Sequence, residues 1–285
     1  MAVILAVGAA AGWGASDFFG GDVTRRRTSV FVVIAVSELL GVALLAPVLI
    51  ARGTAPPADG RLLSAVVAGI AVTVELSLIY LALSRGDAFI TAPVGALGAA
   101  AAVTIGLAGG DPLNPLIAAG LLLALLGGGV SAWTSRASGG RAALAQTAAV
   151  CIGAAAALGV MLTFLHQAGQ LDAYWVTATE HAATAVSAGL VALAARRRSP
   201  HGLLPAVSQL PALGRVAAVG VEGDLAYVAA SHHGTLSVVA AISSLYPITT
   251  ILLARILQGR HATRIQSVGI TLALLGAPLL GASAG

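Results

Sequence analysis

Six acidic residues lie within apolar stretches of this chain, and their side chains are the ones most able to do chemistry. They are Asp17, Glu38, Glu75, Glu180, Glu222 and Asp224. A charge at the centre of a membrane helix costs about 2.5–3.5 kcal/mol, so six facing lipid would cost on the order of 15–20 kcal/mol. That cost exceeds the stability of a typical fold. We therefore expect most of them to face a helix-bundle interior or water, where carboxylates bind cations or exchange protons.

The composition indicates that these acids belong to a membrane protein. Of the 285 residues, 58% are hydrophobic and only 9% are charged, and the mean hydropathy is +0.95. A soluble domain carries about 25% charged residues, so this chain has too little polar surface for a water-soluble globule. Its apolar runs of about 20 residues match the length that a helix needs to cross about 30 Å of hydrocarbon. We therefore expect an all-α polytopic membrane protein.

Ten apolar segments, separated by charges, Pro and Gly, are predicted to be transmembrane helices. The predicted spans are residues 2–21, 30–51, 62–83, 88–108, 113–133, 142–165, 173–195, 213–231, 235–257 and 263–283. The loops between them are too short for a soluble domain. Because the N-terminus lacks a basic region, we interpret it as the first span rather than as a cleaved signal peptide.

Two pairs of segments repeat at a nearly constant offset. Residues 79–97 align with 227–245 at an offset of 148, and residues 120–127 align with 269–276 at an offset of 149. The chain is therefore predicted to contain two five-helix repeats. The predicted repeats are residues 1–135 and 141–285. Because each repeat holds an odd number of spans, the second enters the membrane inverted, as in transporters whose binding sites lie near the midplane.

The distribution of arginine predicts the orientation. The chain has 15 arginines and no lysine, and 13 of the arginines lie in or beside the loops that follow odd-numbered spans. Since positive residues are enriched in cytoplasmic loops, we expect a plasma (inner) membrane protein with both termini outside the cytoplasm. The arginines form no stripe or tail, so the sequence pI of about 10 does not indicate a nucleic acid partner.

A sequence resemblance adds to this interpretation. Residues 234–280, with Ser244–Pro247 in the ninth span, resemble the C-terminal repeat of EamA-type members of the drug/metabolite transporter superfamily. Gly12–Gly14 fits the first repeat of that family. The resemblance covers essentially the whole chain. It implies ten helices, two EamA repeats, and export or exchange of small metabolites.

One loop departs from the family pattern. Members often have a Gly-Glu pair between the ninth and tenth spans, whereas this chain has Gly259 followed by Arg260. Gly110 and Asp111 keep an acid at the corresponding place in the first repeat. The role that the family implies for the loop glutamate therefore does not carry over to Arg260.

Helical spacing selects partners for the acids near the midplane. Glu75 aligns with the residue between Glu222 and Asp224, so both repeats place acid in the middle of their third helix. Asp224 and Tyr227 are three residues apart and share a helix face, whereas Glu222 points nearly opposite. We assign the pathway for substrate or protons first to the face of Asp224 and Tyr227. Glu222 could instead pair with another helix.

Polar residues of three other spans extend this pathway. In the first span, Trp13 and Asp17 share a helix face. Glu38 in the second span and Glu180 in the seventh lie at similar depths from opposite faces of the membrane. They serve either the pathway or hydrogen bonds between helices. A polar stripe on the seventh span passes through either Glu180 or His181, and the spacing alone does not decide between them.

The ninth span contributes the last candidates. Ser243 and Ser244 precede Tyr246 and Pro247, and Pro247 frees a backbone carbonyl because it has no N–H. The complete set of candidate pathway residues is Trp13, Asp17, Glu38, Glu75, Glu180, Glu222, Asp224, Tyr227, Ser243, Ser244 and Tyr246.

These features favour a secondary transporter. We expect it to move a small polar metabolite, an amino acid or a cationic compound by alternating access, with or without proton coupling. The expected partners are that substrate, the lipid bilayer and, where transport is coupled, protons. A channel and a non-transporting membrane scaffold are the alternatives, and the oligomeric state is open.

Motifs of intramembrane enzymes are missing. Neither the His-Glu-x-x-His of zinc proteases, nor the Gly-x-Ser-Gly of rhomboid-like proteases, nor the Gly-x-Gly-Asp of aspartyl types occurs. The single cysteine, Cys151, excludes an intramolecular disulfide and a cysteine-based metal site. His232 and His233 are expected to be solvated loop residues. We therefore expect no enzyme activity, no cofactor and no metal.

Overall fold

The computed structural model shows helices and turns, and no strand, in the residues that it describes. Those residues are 1–25, 29–84, 91–131, 141–196, 205–259 and 263–282. The helices are α1 (Ala2–Arg25), α2 (Val30–Arg52), α3 (Leu62–Ser84), α4 (Thr91–Ala108), α5 (Pro115–Ser131), α6 (Arg141–Ala168), α7 (Ala173–Ala195), α8 (Leu210–Ser231), α9 (Leu236–Ser243), α10 (Tyr246–Gln258) and α11 (Arg264–Ala282). The predicted all-helical class is therefore confirmed. Most of the predicted junction between the repeats, and Arg260, lie outside the described residues.

Several of these helices suit a membrane. Those long and apolar enough to cross one are residues 2–24, 30–52, 62–80 and 236–258, and shorter apolar stretches are residues 97–108, 115–127 and 152–168. Their outer faces carry large aliphatic side chains, such as Leu39, Leu63 and Ile256, which are 61%, 69% and 74% exposed. Extensive apolar surface of this kind suits lipid rather than water. The number of ten spans stays a prediction.

The helices pack largely against helices from the other half of the chain. We call residues 1–131 the first half and residues 141–282 the second half. Helix α1 packs on α8, α3 on α6, α2 on α7, and α5 on α11. Glycine permits the close approach of α1 and α8, because a Cβ atom at Gly12 would stand 2.6 Å from the backbone nitrogen of Gly223. The interior is therefore built from helices that alternate between the halves.

The ninth predicted span is interrupted in its middle. Helix α9 ends at Ser243 and α10 begins at Tyr246. Between them the N–H of Leu245 bonds to the carbonyl of Ile242 at 3.1 Å, which is a tighter turn than an α-helix. The break lies here because Pro247 has no N–H for the carbonyl of Ser243. The sequence predicts the lost hydrogen bond, and the structure shows that the loss divides the helix.

The loops after α2, α4, α6 and α8 meet at one end of the bundle. Arg52, at the end of α2, forms an ion pair of 2.5 Å with Asp172, in the loop after α6. Asp111, in the loop after α4, accepts hydrogen bonds from the backbone N–H and the hydroxyl of Ser237, at 2.8 and 2.6 Å. His232 in the loop after α8 lies 3.1 Å from a carbonyl in the loop after α6. The two halves are thus joined by polar contacts at this end.

Candidate functional site

Five acidic residues and one histidine are buried in the interior of the bundle. They are Asp17, Glu38, Glu75, Glu180, His181 and Asp224. Each is at most 9% exposed. Burying a carboxylate is costly unless a counter-charge, a proton or hydrogen bonds compensate. This buried group offers one basic side chain, that of His181, for five carboxyl groups.

His181 of α7 lies between two of these carboxyl groups. Its Nε2 is 3.1 Å from Oδ2 of Asp224 on α8, and its Nδ1 directly contacts Oε2 of Glu38 on α2. Oε2 of Glu180 is 3.9 Å from Nε2. Neither ring nitrogen makes a hydrogen bond of normal geometry with a described residue, so we treat these as close charge contacts. The imidazole thus connects α2 of the first half to α8 of the second half.

Asp224 is held from a second side by Trp13 of α1. The indole N–H of Trp13 donates to Oδ1 of Asp224 at 2.8 Å. The ring of Trp13 lies 5.2 Å from that of Tyr227, measured between centroids. The hydroxyl of Tyr227 donates to the carbonyl of Leu162 at 2.7 Å. Because Asp224 and Tyr227 are one helical turn apart, both face α1, as helical spacing predicts.

Glycine makes room for this tryptophan. A Cβ atom at Gly223 would stand 2.6 Å from Cδ1 of Trp13 and 3.0 Å from its backbone nitrogen. Real Cβ atoms essentially never approach another heavy atom within 3.0 Å. The absence of a side chain at Gly223 therefore sets the position of Trp13 against Asp224.

Glu180 faces α3 and keeps one oxygen unpaired. Its Oε1 is 2.7 Å from the hydroxyl of Thr184, which also lies 3.0 Å from the carbonyl of Gly69 on α3. Its Oε2 has no hydrogen-bond partner among the described residues. A buried polar atom without a partner is unusual in a folded interior, and each one requires an explanation. Water, a proton or a ligand would satisfy this oxygen.

A cavity of about 50 Å³ lies beside this group. Its polar lining consists of Trp13, Ser16, Asp17, Glu38, Glu75, Asp224 and Tyr246. A water molecule needs about 10–15 Å³ of such volume, so the cavity has room for a few waters. Pockets for small organic ligands measure about 300–1,000 Å³. In this conformation the cavity is therefore too small for a metabolite.

Three residues of the group could offer ligands to a metal ion. Glu38, Glu180 and His181 each provide one ligand atom, and these atoms lie within 4.8 Å of one another. Two atoms bound to one ion at about 2.1 Å stand about 3 Å or more apart. Nδ1 of His181 contacts Oε2 of Glu38 more closely than that. An ion bound by both atoms would therefore require them to move apart.

The structure gathers most of the predicted pathway residues around the cavity. Those that line it are Trp13, Asp17, Glu38, Glu75, Asp224 and Tyr246. Tyr227 packs on Trp13 behind this lining, and Glu180 lies beside His181. Ser243 and Ser244 are buried but bond to backbone carbonyls, at 3.3 and 2.6 Å. The hydroxyl of Ser243 thus bonds to the backbone of α1, and that of Ser244 bonds to the backbone of α9.

The structure does not bring Glu222 to the cavity. Its side chain is exposed at the edge of the contact between α8 and α1, where it lies against Gly8 and Gly12. The structure instead brings His181 into contact with Glu38 and Asp224, which line the cavity. The sequence offered His181 only as an alternative to Glu180. Ser16 also lines the cavity. Helical spacing places it on the face that Trp13 and Asp17 share, which was the available signal.

Comparisons with known proteins agree with this architecture. A solved crystal structure of a protein superimposes with a TM-score of 0.72 over 95% of each chain, at 18% sequence identity. At that identity the likeness shows the fold alone. No curated protein matches the sequence. Residues 145–282 match the EamA-like transporter family. That family is part of the drug/metabolite transporter superfamily, and the match together with the apolar helices indicates a multi-pass membrane protein.

Proposed function

We propose that the protein is a secondary transporter that moves a small polar metabolite, an amino acid or a cationic compound across the plasma membrane by alternating access. The cavity with its acidic lining carries this proposal. Asp17, Glu38 and Glu75 come from the first half, and Asp224 comes from the second half. This surplus of carboxyl groups favours a cationic or zwitterionic substrate, because an ammonium group supplies the missing positive charge. The aromatic face of Trp13 also favours a cation.

The packing of the helices supports two inverted repeats, residues 1–135 and 141–285. In this arrangement, α1, α2, α3 and α5 correspond to α6, α7, α8 and α11. If each helix is replaced by its counterpart in the other half, the contact of α1 with α8 becomes the contact of α6 with α3. The pairs α2–α7 and α5–α11 are each converted into themselves. All four contacts are present. Such a pseudo-two-fold arrangement permits a second conformation in which the halves exchange roles.

The size of the cavity and the joined loops support alternating access. A cavity of about 50 Å³ admits a metabolite only if helices separate. Opening the bundle toward the loops after α2, α4, α6 and α8 requires the contacts Arg52–Asp172 and Asp111–Ser237 to break. The arginine distribution assigns that end to the outer side of the membrane, with both termini.

Proton coupling belongs to the proposal because four carboxyl groups line the cavity. Removal from water favours the neutral, protonated form of a carboxyl group. A cationic substrate favours the ionised form of the same group. Substrate and proton would therefore compete for the lining, which links the movement of one to a gradient of the other.

Uptake into proteoliposomes tests this function. Amines, amino acids and sugars would be offered with and without an imposed pH gradient, and we expect saturable uptake of one class that follows the gradient. Glu75→Gln and Asp224→Asn should abolish gradient-driven uptake while the protein still inserts and folds. Asp59→Asn is the matched control, since Asp59 is a loop acid paired with Arg61. Rapid, non-saturating flux would instead indicate a channel.

A further inference from the structure

The contacts of His181 with Glu38 and Asp224 determine how many protons these three side chains hold. An unprotonated ring nitrogen and a carboxylate oxygen are both electron-rich and repel each other at 3.1 Å, whereas a proton on the nitrogen makes the contact attractive. Each of the two contacts of His181 therefore needs one proton. A neutral imidazole has a proton on only one of its nitrogens. The three side chains of Glu38, His181 and Asp224 thus need one proton more than a neutral imidazole and two carboxylates supply.

We propose that Glu38, His181 and Asp224 form a single proton-binding array, in which His181 carries the exchangeable proton as an imidazolium ion. We call these three side chains the proton array. The proposal rests on the proposed transport function and deepens it, because it assigns the coupling proton to a histidine that links both halves of the chain.

The surroundings of the array favour a positive charge on His181. Each helix that contributes to the buried group places an acid near it: Asp17 on α1, Glu38 on α2, Glu75 on α3, Glu180 on α7 and Asp224 on α8. The phenol of Tyr246 on α10 also lines the adjoining cavity. No arginine is among the buried residues that the structure describes. An imidazolium ion is therefore the available internal counter-charge.

The array is placed to respond to a cation in the cavity. Glu38 and Asp224 line the cavity, and the imidazole of His181 contacts both. Trp13 binds Oδ1 of Asp224 and leaves Oδ2 for His181. A cation that pairs with these carboxylates replaces the positive charge of the imidazolium. The proton on Nε2 then passes to cavity water, so one proton leaves for each positive charge that binds.

This exchange defines a substrate class. A monovalent organic cation with N–H donors, such as a primary ammonium group, replaces both the charge and the hydrogen bonds of the imidazolium. A neutral sugar replaces the hydrogen bonds alone and leaves the carboxylates without a counter-charge. An anion adds to the existing negative charge. The array therefore selects cations and zwitterions with an accessible ammonium group.

Solid-state NMR of the full chain in lipid bilayers tests the array without any substrate. The protein would be labelled with ¹⁵N in its histidine rings, and the His181 signals would be assigned by their loss in His181→Gln, or in His181→Asn if that variant does not fold. At pH 7 we expect both ring nitrogens of His181 to carry a proton. In Asp224→Asn the new amide can donate to Nε2, so the second proton is no longer needed, and we expect a neutral ring.

Three results would overturn the proposal. The first is a neutral His181 ring in the wild-type protein at pH 7. The second is an imidazolium signal that persists in Asp224→Asn and in Glu38→Gln. The third is a His181 signal that changes when EDTA is added, because that change would indicate a bound metal ion instead of a proton. If the transport assay finds no substrate but His181 is doubly protonated, the proposed function fails and the array stands.

Discussion

Trp13 donates its indole N–H to Oδ1 of Asp224 at 2.8 Å, across the close contact of α1 with α8. The other oxygen of the same carboxylate lies 3.1 Å from Nε2 of His181. One carboxylate therefore connects a tryptophan of the first half with a histidine of the second half. A substitution at any of the three residues changes the surroundings of the other two.

Trp13→Phe tests the contribution of the indole donor. The variant keeps an aromatic ring but leaves Oδ1 of Asp224 without its partner, which should lower the free energy of unfolding by about 1–3 kcal/mol. Denaturation in detergent would measure the change, and cation uptake should fall with it. Trp175→Phe is the control, because that indole donates at 3.2 Å to Thr54 at an exposed helix end. Equal losses in both variants would contradict the assigned role.

Gly223→Ala tests the packing that positions Trp13. The new methyl group would overlap Cδ1 of Trp13, and overpacking of this kind costs about 1–3 kcal/mol. Gly214→Ala lies on the same helix with no atom within 4 Å of its Cβ position, so the helix propensity of alanine should stabilise it by up to about 1 kcal/mol. Thermal unfolding of the two variants should therefore shift in opposite directions. A shift in the same direction would show that this contact does not constrain α8.

Glu222→Gln and Asp224→Asn compare two acids that are two residues apart. The structure places Asp224 in the cavity lining and Glu222 on the exposed face of α8. Asp224→Asn should therefore lose at least tenfold in the rate of gradient-driven uptake, whereas Glu222→Gln should stay within about twofold of wild type. Both rates would be normalised to the amount of inserted protein. A larger loss in Glu222→Gln would move the pathway to the other face of α8.

His181→Gln tests the link between proton and cation. For one competing proton, the apparent Kd of the transported cation should rise about tenfold for each pH unit toward acid, and the variant should lose this slope. His166→Gln is the control, since its Nδ1 lies 3.0 Å from the hydroxyl of Ser231 and it does not line the cavity. Binding would be measured between pH 5 and 8. An unchanged slope in His181→Gln would place the coupling proton elsewhere.

Much of the fold was accessible from the sequence because hydropathy and helix length are local properties. The apolar runs predicted α2 and α7 to within about one residue at each end. The interruption of the ninth span was harder to predict. A proline in a membrane helix predicts a lost hydrogen bond, but whether the helix bends or divides depends on the packing around Tyr246 and Pro247.

The site was only partly accessible for a geometric reason. Spacing places Asp224 with Tyr227 on one helix face, but it does not show which neighbour that face meets. A helix that is apolar on all sides gives no signal for its rotation in the bundle. The choice between Glu180 and His181, and the position of Glu222, therefore required the packing of α7 and α8 against α1 and α2.

The loops joined at one end of the bundle predict a dependence on ionic strength that differs between the two sides of the membrane. The ion pair of Arg52 with Asp172 is partly exposed, with side-chain exposures of 35% and 27%. Salt shortens the screening length from about 8 Å at 0.15 M to about 3 Å at 1 M and weakens such a pair. In oriented vesicles, salt added on this side alone should favour the conformation that opens toward it, and the same salt on the opposite side should have less effect. The partly exposed ion pair of Arg52 with Asp172 would thus make transport depend on the salt concentration on one side of the membrane.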